Sequence, residues 1–171
     1  MNAARSLEKA GVDAILICAN TMHKVANVIE NNIHVPLLHI ADATATKIKK
    51  KNLTTVGLLG TKFTMEEDFY KERLRKYGIQ TLVPAEKEHE VVNSIIYDEL
   101  VKGIINEESK LKLVKIINNL ALRGAQGVIL GCTELPLLVK EEDVRIPLFD
   151  TIRIHAEAAV EYMFKGFYGL T

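Results

Sequence analysis

The chain has 171 residues, 48% apolar and 26% charged, which is enough apolar material for a packed core and the wrong balance for a disordered segment. Lys plus Arg and Asp plus Glu both number 22, so the net charge is zero and no long-range field favours nucleic acid or an anionic membrane. No run approaches the ~18–20 apolar residues of a membrane span. The N-terminus lacks the apolar stretch of a secretory signal, and two distant cysteines without C-x-x-C spacing speak against a disulfide framework or a zinc site.

These features make a small molecule or a second copy the expected partner, with no metal, no nucleic acid and no membrane, and a cytoplasmic location. The chain opens in a helical stretch. Short, continuously apolar runs rich in Val, Ile and Leu then recur at 13–18, 36–40, 55–59, 79–83, 127–130 and 147–149. Strands covered on both faces read this way. Helical patterns fill 21–31, 42–51, 65–77, 86–102, 108–123, 133–140 and 151–164. The alternation predicts a parallel sheet with right-handed crossovers, hence an α/β fold. Thr64 and Glu67 read as a capping box opening a helix at Met65. Gly78 reads as a helix stop. Lys47, Lys49, Lys50 and Lys51 crowd a helix end, where cations suit the dipole and solvent.

A faint duplication runs through the chain. GVDAILICANT at 11–21 is echoed by GAQGVILGCTE at 124–134. Each unit is a helix-ending Gly, a short strand, then a Cys with a nearby Thr. Downstream, VPLLHIADA at 35–43 is echoed by IPLFDTIRI at 146–154. Two half-molecules facing one another are the expected arrangement. Ligands of parallel α/β sheets bind beyond the carboxyl ends of the strands, where both Cys18 and Cys132 fall. A helix N-terminus beside each favours thiolate, and such positions lower a thiol pKa from ~8.5 to between ~3.5 and ~7.5. One thiolate can take a proton from a substrate carbon while the opposing thiol supplies one to the other face. The rival reading of either cysteine is a buried space-filler.

The local sequences resemble a known family. CANTMHKVA at 18–26 and GCTE at 131–134 are similar to the two catalytic-cysteine motifs of the aspartate/glutamate racemases. Glu134, together with VPLLHIADAT and VGLLGTKFTMEEDFY, resembles the aspartate racemase branch. The resemblance implies two Rossmann-like parallel-sheet domains related by a pseudo-two-fold axis, no pyridoxal phosphate or other cofactor, and a homodimer. It implies Cys18 and Cys132 as the proton-transfer pair. It implies that Asn20, Thr21, Thr133 and Glu134 bind substrate through side chains and backbone N–H groups, with orientation of the ammonium group as the alternative role of Glu134. Thr61, between a strand and a helix, stands where backbone N–H groups suit a carboxylate. Lys102 matches a family lysine that holds the side-chain carboxylate of aspartate. His23, one turn beyond Cys18, is expected to pack or face solvent. His34 and His39 have no evident metal partners, and Tyr70 and Tyr77 are expected to pack.

Relative to that family, the leading strands of the first domain are expected to be missing. The expected division is a partial first domain of 1–45 plus 148–171 and a second domain of 46–147. The expected function is racemisation of aspartate. The alternatives are a broad-specificity racemase or related isomerase acting through the same cysteines, and a shortened, non-catalytic fragment.

Overall fold

The structure is a computed structural model that describes residues 1–165. The chain runs α1 (Asn2–Lys9), β1 (Ile15–Leu16), a 3-10 turn (Thr21–Val25), α2 (Ala26–Glu30), β2 (Leu37–Leu38), α3 (Ile40–Lys50) and β3 (Thr55–Gly60). It continues through α4 (Lys62–Glu66), α5 (Asp68–Arg75), β4 (Gln80–Leu82), α6 (Glu86–Ser94), α7 (Glu107–Leu122) and β5 (Val128–Gly131). It ends with α8 (Leu135–Leu138), β6 (Leu148–Asp150) and α9 (Thr151–Lys165). Every expected strand is present, each within a few residues of its apolar run. The α/β class with parallel sheets holds.

The strands form two parallel sheets: a two-stranded pair, β1-β2, and a four-stranded sheet in the order β4-β3-β5-β6. Alternation along the larger sheet divides its side chains between two cores, as a period of two requires. Leu59, Val128 and Leu130 point to one face and pack with Val92, Ile117 and Leu120 of α6 and α7. Val56, Leu58, Ile129 and Phe149 point to the other and pack with Ile48, Leu74 and Ile154 of α3, α5 and α9. Each fully buried side chain of this type contributes about 1.5–3 kcal/mol. Beneath the small sheet lies a much thinner core of Ala4, Ile15 and Ile33. A two-stranded sheet with so little apolar burial is marginal by itself, so its anchorage to α9, where His155 donates to the Leu38 carbonyl, matters. Leu148–Asp150, expected with the returning part of the first domain, pairs with β5 in the larger sheet. The expected tail of that domain, 166–171, lies outside the described residues.

Helix punctuation is partly as expected. Gly11, Gly78 and Gly124 follow α1, α5 and α7 at positive φ, where a residue without Cβ is favoured. The expected capping box at Thr64 does not form. The cap is Thr61, whose hydroxyl accepts from the Thr64 N–H, and Glu67 is extended between α4 and α5. The expected helix at 86–102 is regular only to Ser94. A π-turn follows at Ile95–Glu99, then a 3-10 turn at Leu100–Lys102. The expected helix at 133–140 shrinks to the four residues of α8. No helix among the described residues is long and apolar enough to cross a membrane.

Candidate active site

The carboxyl ends of β3 and β5 meet at Gly60 and Gly131, which are register partners. A Cβ on Gly60 would stand 2.9 Å from the Gly131 carbonyl oxygen, and one on Gly131 would stand 2.8 Å from the Leu59 oxygen. Only glycine permits so close an approach. Directly beyond the pair come Thr61 and Cys132.

A cavity of about 180 Å³ opens at this point. One wall is Ala19, Asn20 and Thr21, the segment that follows Cys18. A second part of the lining is Cys132, Thr133 and Glu134. Thr61 and Gly131, at and just beyond the ends of β3 and β5, also line it, as do Ile96, Tyr97 and Val101. The volume falls below the roughly 300–1,000 Å³ of sites for drug-sized ligands, which suits a metabolite of amino-acid size. A larger groove of about 530 Å³ runs along β6 and α9 past Lys47, Phe149 and Arg153. It contains none of the residues expected to carry chemistry, so the smaller cavity is the candidate site.

Six of the residues singled out in the sequence thus come together: Asn20, Thr21, Thr61, Cys132, Thr133 and Glu134. Cys18 is exposed and adjoins the wall at Ala19 without lining the cavity. Lys102 stands apart. Its side chain is exposed and faces Asp98 at 3.9 Å.

The polar groups are tightly interlinked. The hydroxyls of Thr21, Thr61 and Thr64 form a triangle with edges of 2.9, 3.2 and 3.2 Å. The Asn20 amide donates to the Thr151 hydroxyl at 2.9 Å, and Thr151 donates in turn to the Leu130 carbonyl at 2.8 Å. Asn20 Oδ1 is buried and has no hydrogen-bond partner. A buried acceptor left unpaired carries a desolvation cost, and a ligand donor would remove it.

Cys132 and Thr133 both donate to Glu134 Oε2, at 2.9 and 2.7 Å. Burial, reinforced by the adjacent Glu134 carboxylate, pushes the Cys132 thiol up to about 12. The expected lowering of a thiol pKa by a helix N-terminus is therefore overturned at Cys132. The helix beyond it has only four residues, and a carboxylate stands closer. Burial opposes the charge on Glu134, yet the two hydrogen bonds hold its carboxyl below the usual range. Without ligand, this wall is a neutral thiol against an anionic carboxylate.

Three imidazoles support the first wall from behind. His23, His39 and His155 are all buried, with ring centroids 4.4 Å apart for His23–His39 and 5.9 Å for His23–His155. His23 Nε2 accepts from the Ile40 N–H at 3.2 Å, so Nδ1 carries the proton and donates to the Ala19 carbonyl at 2.9 Å. His39 Nδ1 accepts from the Ala41 N–H, and His155 Nε2 donates to the Leu38 carbonyl at 2.6 Å. Burial depresses all three, His23 to about 4 and His39 to about 3. His23 thus packs, as expected, and also ties the Cys18 segment to α3.

Ile96, Tyr97, Val101 and Thr151 do not stand out in the sequence, and Thr64 stands out only as a helix cap. The first three lie in IIYDELV, which reads as ordinary amphipathic helix. The two threonines stand at helix starts, where a capping role accounts for them.

The arrangement can be compared with known proteins. Residues 1–159 match the family described as Asp/Glu/hydantoin racemase. A crystal structure from Yersinia pestis, provisionally assigned as an Asp/Glu racemase, is 51% identical with a TM-score of 0.90, covering 94% of this chain and 70% of that one. The crystal structure of an aspartate racemase homologue from Pyrococcus horikoshii OT3 is 41% identical with a TM-score of 0.86, covering 94% and 71%. The broad-specificity amino-acid racemase RacX of Bacillus subtilis (strain 168) is 27% identical over 160 residues, which are 94% of this chain and 69% of that protein.

Proposed function

The chain belongs to the Asp/Glu/hydantoin racemase family, and from that premise we propose that it inverts the α-carbon of an amino acid by two-base proton transfer between Cys18 and Cys132. The observation that carries this reading is the cavity between the segment after Cys18 and the segment bearing Cys132. In the proposed reaction the substrate ammonium lies against Glu134 and the unpaired Asn20 Oδ1. The hydroxyls of Thr21, Thr61 and Thr133 donate to its carboxylate and to charge that develops there during proton removal. Cys18, as thiolate, removes the α-proton, and Cys132 delivers its own proton to the opposite face. The reverse direction exchanges the roles.

Cys132 can act as a base only if its surroundings change. A substrate ammonium provides that change. It draws the Glu134 carboxylate away from the thiol and places a positive charge beside the sulfur, both of which lower the pKa of the thiol. Homodimer formation and a cytoplasmic location belong to the same reading. So does a division into two domains, one built on β1-β2 and the other on the larger sheet.

The test is incubation in heavy water with each enantiomer of a panel of amino acids, followed by NMR and chiral chromatography. Deuterium at the α-carbon together with inversion is expected. Neither exchange nor inversion with any member of the panel would leave the reading without support. Aspartate is the substrate expected from the resemblance to the aspartate racemase branch, and Lys102, expected to hold its side-chain carboxylate, lies outside the cavity lining.

A further inference from the structure

We propose that the cavity receives amino acids with uncharged side chains, and that Ile96, Tyr97 and Val101 set this selectivity. The inference rests on the racemase reading for the reacting end of the substrate and adds to it the class of side chain.

Among the described residues lining the cavity there is no Lys, Arg or His, and the single charged side chain is Glu134. A substrate ammonium satisfies that carboxylate. A second carboxylate on the substrate would meet the same anion and an apolar wall, with no cation among the described lining residues. Cations on neighbouring segments have acidic partners of their own: Lys24 lies 3.1 Å from Glu67 and Lys62 2.5 Å from Glu90, while the exposed Lys102 faces Asp98 at 3.9 Å.

The backbone explains how the wall becomes apolar. Along the π and 3-10 turns of 95–102, the residues presented to the cavity are Ile96, Tyr97 and Val101. The charged members are turned to other partners. Asp98 accepts from the Ser94 hydroxyl at 2.6 Å, and Glu99 accepts from the Ser109 hydroxyl at 2.8 Å. Wide turns of this kind interrupt helices where a side chain must be re-aimed and often lie at functional sites. Ile96 is buried, whereas Tyr97 and Val101 are 47% and 54% exposed. The wall is thus firm at its base and open at its rim, which accommodates side chains of differing length.

The experiment measures α-deuterium exchange in heavy water for methionine, alanine, aspartate and glutamate, with binding of each followed in parallel by ligand-observed NMR. Val101→Lys is the companion variant. Its position is exposed, so the added side chain is tolerated by the fold. Neutral substrates are expected to exchange faster than the dicarboxylates by about tenfold or more, since like charges brought together are strongly disfavoured. The V101K variant is expected to shrink or reverse that ratio. Aspartate or glutamate exchanging as fast as methionine would overturn this inference and leave the racemase reading intact. If nothing exchanges, the racemase reading falls and the binding data decide. Tighter binding of methionine than of aspartate would still support the apolar wall, and the opposite order, or no binding by either, would overturn it.

Discussion

Cys132 Sγ donates a hydrogen bond to Glu134 Oε2 at 2.9 Å. The proton is thereby held on sulfur by a neighbour only two residues away. In the ligand-free protein this thiol is neutral, and under the proposed reading the carboxylate that restrains it also receives the substrate ammonium.

Replacing that carboxylate should loosen the restraint. In a Cys18→Ser background, where Cys132 is the single thiol, Glu134→Gln is expected to move the pH midpoint of iodoacetamide alkylation downward from about 12. Burial, the larger cause, persists, so the midpoint stays above that of an ordinary thiol. An unmoved midpoint would mean that Glu134 does not control the sulfur.

Substituting the cysteines separately should dissect the two half-reactions. Cys18→Ser and Cys132→Ser are each expected to lower inversion by about 10²–10⁴-fold, the usual contribution of a positioned acid or base. Each variant should favour wash-in of deuterium from one enantiomer, and from opposite ones. Full inversion by either variant would show that a single sulfur suffices.

The buried histidines predict acid sensitivity with a definite window. Their ordinary value is 6.5, while the folded protein holds His23 near 4 and His39 near 3. The unfolded chain therefore binds more protons between these limits. The stabilisation is complete above pH 6.5 and is lost progressively as pH falls toward 4 and then 3. Asp42, lowered from 3.8 with burial opposing and Arg73 prevailing, contributes only at lower pH. Urea midpoints measured at pH 7 and pH 5 should fall between the two. Removing one imidazole with His155→Gln, whose amide can still donate to Leu38, should flatten the slope. Equal midpoints at the two pH values would contradict the neutral, buried state of the three rings.

Gly131→Ala tests the contact at the base of the cavity. The added carbon would stand 2.8 Å from the Leu59 oxygen and 3.0 Å from Leu58 Cδ1. Both are parts of a packed strand, so the expected loss is about 1–3 kcal/mol, read as a lower melting temperature. An unchanged melting temperature would mean that β3 and β5 can separate without penalty.

The six strands are legible because a doubly covered strand must be apolar along its whole length, as in Val128, Ile129 and Leu130. The paired cysteine segments are legible because two similar strand-to-turn sequences can be read against one another. What escapes is the turn at 95–102. Its residues suit a helix, and nothing in IIYDELVK signals the widened backbone that presents Tyr97 and Val101 while leaving Lys102 outside. The cap at Thr61 is legible only in part, because the sequence places Thr61 at the entry to a helix and also offers Thr64. Thr61 and Thr64 both have a hydroxyl suited to capping, and only the close approach of Gly60 to Gly131 fixes which one begins the helix. The histidine trio gathers from three distant segments, and such proximity leaves no periodic trace.

That same glycine contact has a consequence for how specificity can change. The two strands meet like the fixed jaw of a vice, with no slack for even a methyl group. Any remodelling of the recess, by selection or by design, has to work through the opposing, looser jaw of residues 96–101. A lineage could therefore alter which molecules it accepts many times over while the edge at Gly60 and Gly131 stays as it is.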